Sequence, residues 1–591
     1  MGKENGWVKL NLIHLGLVFS ASILFALSFP NLLFRNGLPF LAWFSYIPIL
    51  VLISRNSLLA CAGWGAVYGY TAYALFNYWL GAFHPLAGAI VYTIYLFYMA
   101  VVFTLLKLAA VFFPKRSYPV QWIIWLAFEY LRTKGFLGYS YGITGYSQWR
   151  IIPLIQIAKI TGVWGVSALV TFPSFWLAGT IIPYISRKGA KIAEIENQQT
   201  LNANKISKKI ISSTLCSCRF GGIILQIKLI EKIIIIIWAA ALCAALVFGF
   251  MTNTDFSSGP EVRIALIQHN TDPWLPSKAP TVRLANELYR KDLTILKNLS
   301  DEALSSEPKP QLVVWPETAF VPRIYWHTTY RDDPASWDMV RELLEYLSGK
   351  DVPFLIGNDD GLMDPAKNPN PNEKFRIDYN AALLFHKDKI IKTYRKLHLV
   401  PFTEHFPYKK QLPFIYNALK KADTHFWEKG DEETVFSVPG FTFSAPICFE
   451  DTFGYLSRNF VRRGADVLVN LSNDAWSNSL PAQNQHLSMA VFRSVENYRP
   501  MVRSTASGQT CAIDPNGKVT ALASPFSETW INVTIPLVKG NTPYTLYGDY
   551  LALFFTLAAA ALLIYGAICC TIKQNMGGRG NEYKEKDTNR R

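Results

Sequence analysis

Long apolar runs separated by short polar breaks fill the first 250 residues or so, and beyond them the period shortens. A hydrocarbon core about 30 Å thick calls for roughly 20 apolar residues per helix. Runs near 11–29, 38–54, 58–80, 86–113, 119–133, 160–185 and 233–251 reach or approach that length, and an eighth lies near 547–570. They predict a multi-span α-helical membrane domain over 1–251, about seven transmembrane helices, with an eighth closing the chain at 547–570. The run at 119–133 is short and holds Glu129, while 136–158, rich in Gly, Tyr and Ser, reads as re-entrant or interfacial. The first run lacks a small-residue cleavage site and further spans follow it, so it reads as a retained helix.

Between 260 and 537, short runs rich in Val and Ile alternate with amphipathic helical patterns. Strands are expected at Val262 to Gln268, Gln311 to Trp315, Pro353 to Ile356, Ala381 to Phe385, Ile390 to Tyr394, Phe441 to Ile447 and Ala465 to Asn470. Helices are expected near 279–303, 333–348 and 483–498. This alternation predicts a layered α/β domain within 252–546, large enough to bury its own core and fold without help from the membrane.

Composition supports the division. Half of the 591 residues are hydrophobic and only 17% are charged, against roughly 25% in soluble domains; mean hydropathy is +0.15. A wholly soluble chain is excluded. The net charge of +15 is concentrated in two places: 184–232 holds nine Lys/Arg against three acids, and 571–591 holds six against three. Both adjoin apolar runs, so they read as cytoplasmic anchors of membrane orientation and not as a nucleic-acid groove. With the N-terminus inside, Arg55, Lys115, Arg116, the insertion at 184–232 and the tail at 571–591 all lie on the inner side; Arg132, Lys134, Arg150 and Lys159 run against the pattern. The segment 252–546 then faces outward.

Eight cysteines, at 61, 216, 218, 243, 448, 511, 569 and 570, show neither zinc-type spacing nor a disulfide framework. Cys216 and Cys218 read as ordinary free thiols. No phosphate-binding glycine loop is present, so neither a nucleotide cofactor nor a metal is expected.

Three segments place a reactive side chain just after an expected strand: Trp315-Pro316-Glu317-Thr318, the run from Tyr394 through Lys396 to Glu404, and Pro446-Ile447-Cys448-Phe449-Glu450-Asp451. Strand ends feeding loops are where layered α/β folds collect catalytic groups. A carboxylate, an ammonium and a thiol suffice for acyl transfer.

These segments resemble the glutamate, lysine and cysteine elements of the nitrilase superfamily. Joined to an eight-span unit, they are similar to the apolipoprotein N-acyltransferase family of bacteria. Asp378-Tyr379-Asn380-Ala381, Asn470 to Trp476, and Arg493 to Arg499 ahead of Arg503-Ser504-Thr505 also match; the insertion at 184–232 departs from the family pattern.

The resemblance implies an α-β-β-α sandwich whose catalytic residues are Glu317, Lys396 and Cys448. Glu404, Glu450 and Phe449 stand as supporting residues, and Trp476, Asn380, Phe402 and Trp274 as possible substrate contacts. It assigns activation of the thiol to the glutamate, which leaves His398 structural. Cys511, the other outward cysteine, reads as core and too distant to pair with Cys448. The implied reaction is a ping-pong transfer without cofactor. A phospholipid acyl donor gives its chain to Cys448, and a diacylated apolipoprotein accepts it at the bacterial inner membrane, with the catalytic domain on the periplasmic side. A membrane-tethered amidase acting on a small carbon-nitrogen substrate is the alternative, because the three elements are shared across the superfamily.

Overall fold

The computed structural model describes residues 2–83, 85–180, 229–271, 275, 278–364, 376–421 and 426–588. Trp274, Cys216, Cys218 and most of the 184–232 insertion lie outside the described residues.

Among the described residues, five helices are long and apolar enough to cross a bilayer: Val8–Ser28, Leu86–Phe112, Val163–Thr180, Leu229–Met251 and Tyr550–Ile572. The other three expected spans are shorter or less apolar. The run at 38–54 divides into a 3₁₀ turn, Pro39–Trp43, and a helix, Ile47–Arg55, because Pro48 starts a new helix within its first turn. Leu58–Phe76 stops at Asn77, and Ser117–Leu131 has 15 residues. Leu58–Phe76 packs against Pro85–Phe112 through Gly65 and Gly69, a small-xxx-small pair. A Cβ on Gly69 would stand 2.1 Å from the Tyr95 carbonyl oxygen, and one on Gly65 2.3 Å from that of Met99, so the two backbones touch.

The α/β part contains two six-stranded sheets. The first runs β12-β1-β2-β3-β4-β5, formed by β1 (Glu261–Gln268), β2 (Leu312–Val314), β3 (Phe354–Met363), β4 (Arg376–His386), β5 (Lys389–Arg395) and β12 (Thr529–Pro536). The second runs β11-β10-β9-β8-β7-β6, formed by β6 (Val435–Val438), β7 (Phe441–Ser444), β8 (Val467–Ser472), β9 (Met501–Thr505), β10 (Cys511–Ile513) and β11 (Val519–Leu522). The two share a plan. Parallel triplets β1-β2-β3 and β7-β8-β9 are each flanked by antiparallel neighbours.

Side-chain alternation decides which faces meet. On β1, Ile264 and Leu266 join Val467, Val469 and Val502 of the second sheet in one core, while Ala265 and Ile267 face the layer containing Leu293, Leu296 and Leu343. Helices Val282–Ser305 and Pro334–Ser348 thus cover the outside of the first sheet. The arrangement is an α-β-β-α sandwich.

The second sheet's outer helix, Leu480–Asn497, is buried from Pro481 through Asn497. The membrane part supplies its other cover. Gln485 donates to the carbonyls of Pro30 and Phe76 and accepts from the Trp79 indole, Arg493 donates to the Tyr146 hydroxyl, and the Val163 amide donates to Glu496. The stretch 136–158 contributes Tyr146 to this platform, from the 3₁₀ turn Thr144–Gln148. The sandwich therefore shares a packed face with the membrane part.

The basic residues that run against the inside-positive pattern have structural partners. Arg132 is buried on the Tyr73 and Tyr95 hydroxyls and the Tyr141 carbonyl, Lys134 pairs with Asp549 at 3.2 Å, Lys159 donates to the Thr252 carbonyl, and Arg150 lies over the Trp149 ring.

Candidate active site

Three strand ends meet at one point. β7 leads through Pro446 and Ile447 into the 3₁₀ turn Cys448–Thr452. Cys448 sits at φ +50, left-handed backbone that costs a residue with a Cβ about 1–2 kcal/mol. Two side chains hold this turn. Asn470 donates to the carbonyls of Pro446 (3.1 Å) and Cys448 (3.3 Å), and Glu450 accepts the Ile447 amide at 2.7 Å.

Glu317 follows β2 by three residues. Its backbone lies so close to β3 that a Cβ on Gly357 would stand 2.2 Å from the Pro316 oxygen, which requires glycine there. One carboxylate oxygen accepts from Asn380 Nδ2 (2.8 Å) and Lys396 Nζ (3.2 Å), the other from the Asn473 amide (3.0 Å).

Lys396 directly follows β5 and is fully buried. Its ammonium lies between Glu317 and Glu404, 2.8 Å from the latter, and Glu404 also accepts the Val400 amide. Burial disfavours the charge, but the two carboxylates outweigh it and hold the ammonium above its ordinary value. Burial raises Glu404, against the pull of Lys396.

The Cys448 thiol is pushed well above its ordinary value, first by burial and then by the Glu317 carboxylate, with Lys396 pulling the other way. Cys448 rests as a thiol, and the Glu317 carboxylate that opposes a standing thiolate is a group that could accept its proton.

Glu450 links the cysteine and lysine segments. Besides Ile447 it accepts the amides of Leu397 (2.7 Å) and His398 (2.9 Å) and the Tyr394 hydroxyl (2.8 Å). Burial lifts its carboxyl to about 7 against these donors. His398 is pushed down to about 4, first by burial and then by Lys429 and Lys396, and stacks on Phe453 at 3.8 Å. It is neutral at pH 7 and serves packing.

Among the possible substrate contacts, Asn380 is a Glu317 ligand, and Trp476 packs on Trp79 of the membrane part, 5.5 Å between ring centroids. Phe402, at φ +65, meets Phe136 at 5.3 Å, again from the membrane part. Phe449 is buried against Phe453 at 5.0 Å. Cys448 and Cys511 are both free.

Sequence reasoning missed the Asn473 amide, the Tyr394 hydroxyl, and Tyr141, whose phenol is raised by burial and then by Asp474 and Cys448. A backbone amide leaves no residue-type signal. The alternation of β5, with Tyr394 inward, was a usable sign for the second.

A carbon-nitrogen hydrolase family model matches residues 263–541, and one described as the apolipoprotein N-acyltransferase N-terminal domain matches 21–176. Apolipoprotein N-acyltransferase 1 of Treponema denticola is 42% identical over 575 residues, covering 95% of this chain and 98% of that protein. The Treponema pallidum protein of the same name is 40% identical over 578 residues, covering 97% and 99%. Among solved structures, Saccharomyces cerevisiae Nit3, of the nitrilase superfamily, matches at 19% identity and TM-score 0.32, covering 48% of this chain and 92% of that one.

Proposed function

The chain belongs to the apolipoprotein N-acyltransferase family, and from that premise we propose that it moves a fatty acyl chain from a phospholipid, through a thioester on Cys448, to the N-terminal amine of a diacylglyceryl-cysteine. The observation that carries this reading is the buried Glu317–Lys396–Glu404 ion cluster beside a strained, protonated Cys448.

In the first half-reaction Glu317 takes the thiol proton as sulfur attacks the ester carbonyl. Negative charge develops on the carbonyl oxygen, where the Lys396 ammonium and the Phe449 amide stabilise it, each by about 3 kcal/mol. The carbonyl re-forms as the lysophospholipid alkoxide leaves, and protonated Glu317 returns the proton to that oxygen. In the second half the amine attacks the thioester, Cys448 departs as thiolate, and the ammonium proton passes to the sulfur through Glu317. Glu404, already on Lys396, keeps the ammonium in place while Glu317 changes charge.

Going from oxygen ester through thioester to amide ends in the most stable acyl bond, so no nucleotide is needed. Membrane helices suit this chemistry. Drawing one sixteen-carbon chain out of lipid costs on the order of 12 kcal/mol, which a site resting on the bilayer avoids. Positively charged inner loops orient the sandwich outward, on the periplasmic side of the inner membrane. The amidase alternative gives no reason for relatedness that runs through the membrane part, residues 21–176 included.

The test is transfer in detergent from phosphatidylethanolamine to a synthetic diacylated lipopeptide. The wild-type chain should give a triacylated peptide and Cys448→Ser none; ammonia release from small amides without triacylated product would overturn the reading.

A further inference from the structure

A second buried charge cluster lies behind the nucleophile turn, built from four separate elements. Asp451 belongs to the turn itself, Asp474 begins the 3₁₀ segment after β8, Arg503 lies on β9, and His486 comes from the helix Leu480–Asn497. All four are at most 3% exposed, so water does not screen them. His486 Nε2 is 2.6 Å from Asp451 Oδ1, and Nδ1 is 3.2 Å from Asp474 Oδ1. Arg503 donates to Asp451 Oδ2 and, at 3.3 Å, to Asp474 Oδ2; Ser472 donates to Asp474 Oδ1 at 2.9 Å. Tyr141, its ring 6.4 Å from the imidazole, closes the site from the membrane part, and Cys511 and Cys448 lie near Arg503.

Charge and geometry agree on the protonation state. Two carboxylates facing one guanidinium in a dry site leave an unbalanced negative charge, which a cationic ring cancels. A neutral ring has a single N–H for two carboxylate oxygens. It can accept at Nδ1 from Arg503 Nη2, 3.2 Å away, only by giving up its bond to Asp474.

We propose that His486 is held as an imidazolium whose two N–H groups clamp Asp451 to Asp474, and that this clamp fixes the Cys448–Thr452 turn for acyl transfer. His486 is then a positioning residue: it acts on Cys448 through Asp451 and touches no reacting atom. The proposal rests on the acyl-transfer reading above. Although burial opposes it, the Asp451 carboxylate lifts His486 to about 9, so the clamp is complete at pH 7 and is lost as pH rises through about 9.

The test uses the full-length protein and two readouts: single-turnover thioester formation from phospholipid, and iodoacetamide alkylation of Cys448 followed by peptide mass mapping. His486→Gln leaves the cluster negative and should slow both by about tenfold or more. Adding Asp474→Asn restores neutrality and should bring both back to within about threefold of wild type. Wild-type thioester formation should fall as pH rises through about 9, and the double variant should lack that fall. Asp474→Asn alone removes a carboxylate that raises the histidine, so its fall should move to lower pH, which keeps the test decisive where His486→Gln does not fold. Multiplying losses in the double variant, or an unmoved fall in Asp474→Asn, would overturn the clamp. Should the wild-type chain form no thioester, the acyl-transfer reading fails, and the alkylation rates still decide the clamp.

Discussion

Lys396 is the cation that the buried Glu317 and Glu404 carboxylates share. Replacing it by Met removes the proposed oxyanion donor and leaves Glu317 and Glu404 without their shared cation, so one of them must bind a proton. Lys396→Met should lower thioester formation by about 10²–10³-fold, measured by single-turnover labelling, and a smaller loss would show that the ammonium does not meet the oxyanion. Glu450 makes a different kind of contribution. Its oxygens accept only from donors, so the amide nitrogen of Glu450→Gln would face an N–H or a hydroxyl. A destabilisation of about 2 kcal/mol is expected, read as a lowered unfolding midpoint, and unchanged stability would contradict the clamp drawn between Ile447, Leu397 and His398. The meeting of Glu317 with Lys396 was legible because each follows an expected strand, as Cys448 does. The Asp451–His486–Asp474–Arg503 cluster was not, since its members are up to 52 residues apart and no local periodicity joins them.

Gly65 and Gly69 let the helices Leu58–Phe76 and Pro85–Phe112 touch backbone to backbone. Gly69→Leu should separate them and cost several kcal/mol, as overpacked contacts between rigid helices do; a protein that extracts and melts like wild type would show that this contact is dispensable. The long strands and helices were readable, but their ends were not. The strand expected at Pro353 to Ile356 continues to Met363, through Asn358, Asp359 and Asp360, types that disfavour strands. They are tolerated because tertiary partners satisfy them: Asn358 donates to the carbonyls of Phe320 and Pro322, and Asp360 pairs with Arg395. β9 went unread because Met501–Thr505 follows the helix Leu480–Asn497 after a three-residue break. That helix was itself placed correctly in sequence, but its amphipathic pattern gave no sign that a membrane platform covers its second face.

The sandwich and the apolar helices pack on one another, and the proposed sidedness of the chain is open to direct measurement. In a background without reactive native cysteines, Lys539→Cys, a site whose side chain is 78% exposed, should react with a membrane-impermeant maleimide in spheroplasts. Lys115→Cys, exposed in the break between Pro85–Phe112 and Ser117–Leu131, should react only after lysis, and the reverse pattern would invert the orientation. In the proposed reaction Cys448 carries the acyl group between donor and acceptor. The most direct measurement is the intact mass of the purified protein after exposure to phospholipid without acceptor, followed by peptide mapping. One fatty-acyl increment is expected, located on Cys448, labile to hydroxylamine and discharged by a diacylated lipopeptide. Unchanged mass alongside active transfer, or an acyl group mapped to another residue, would contradict it.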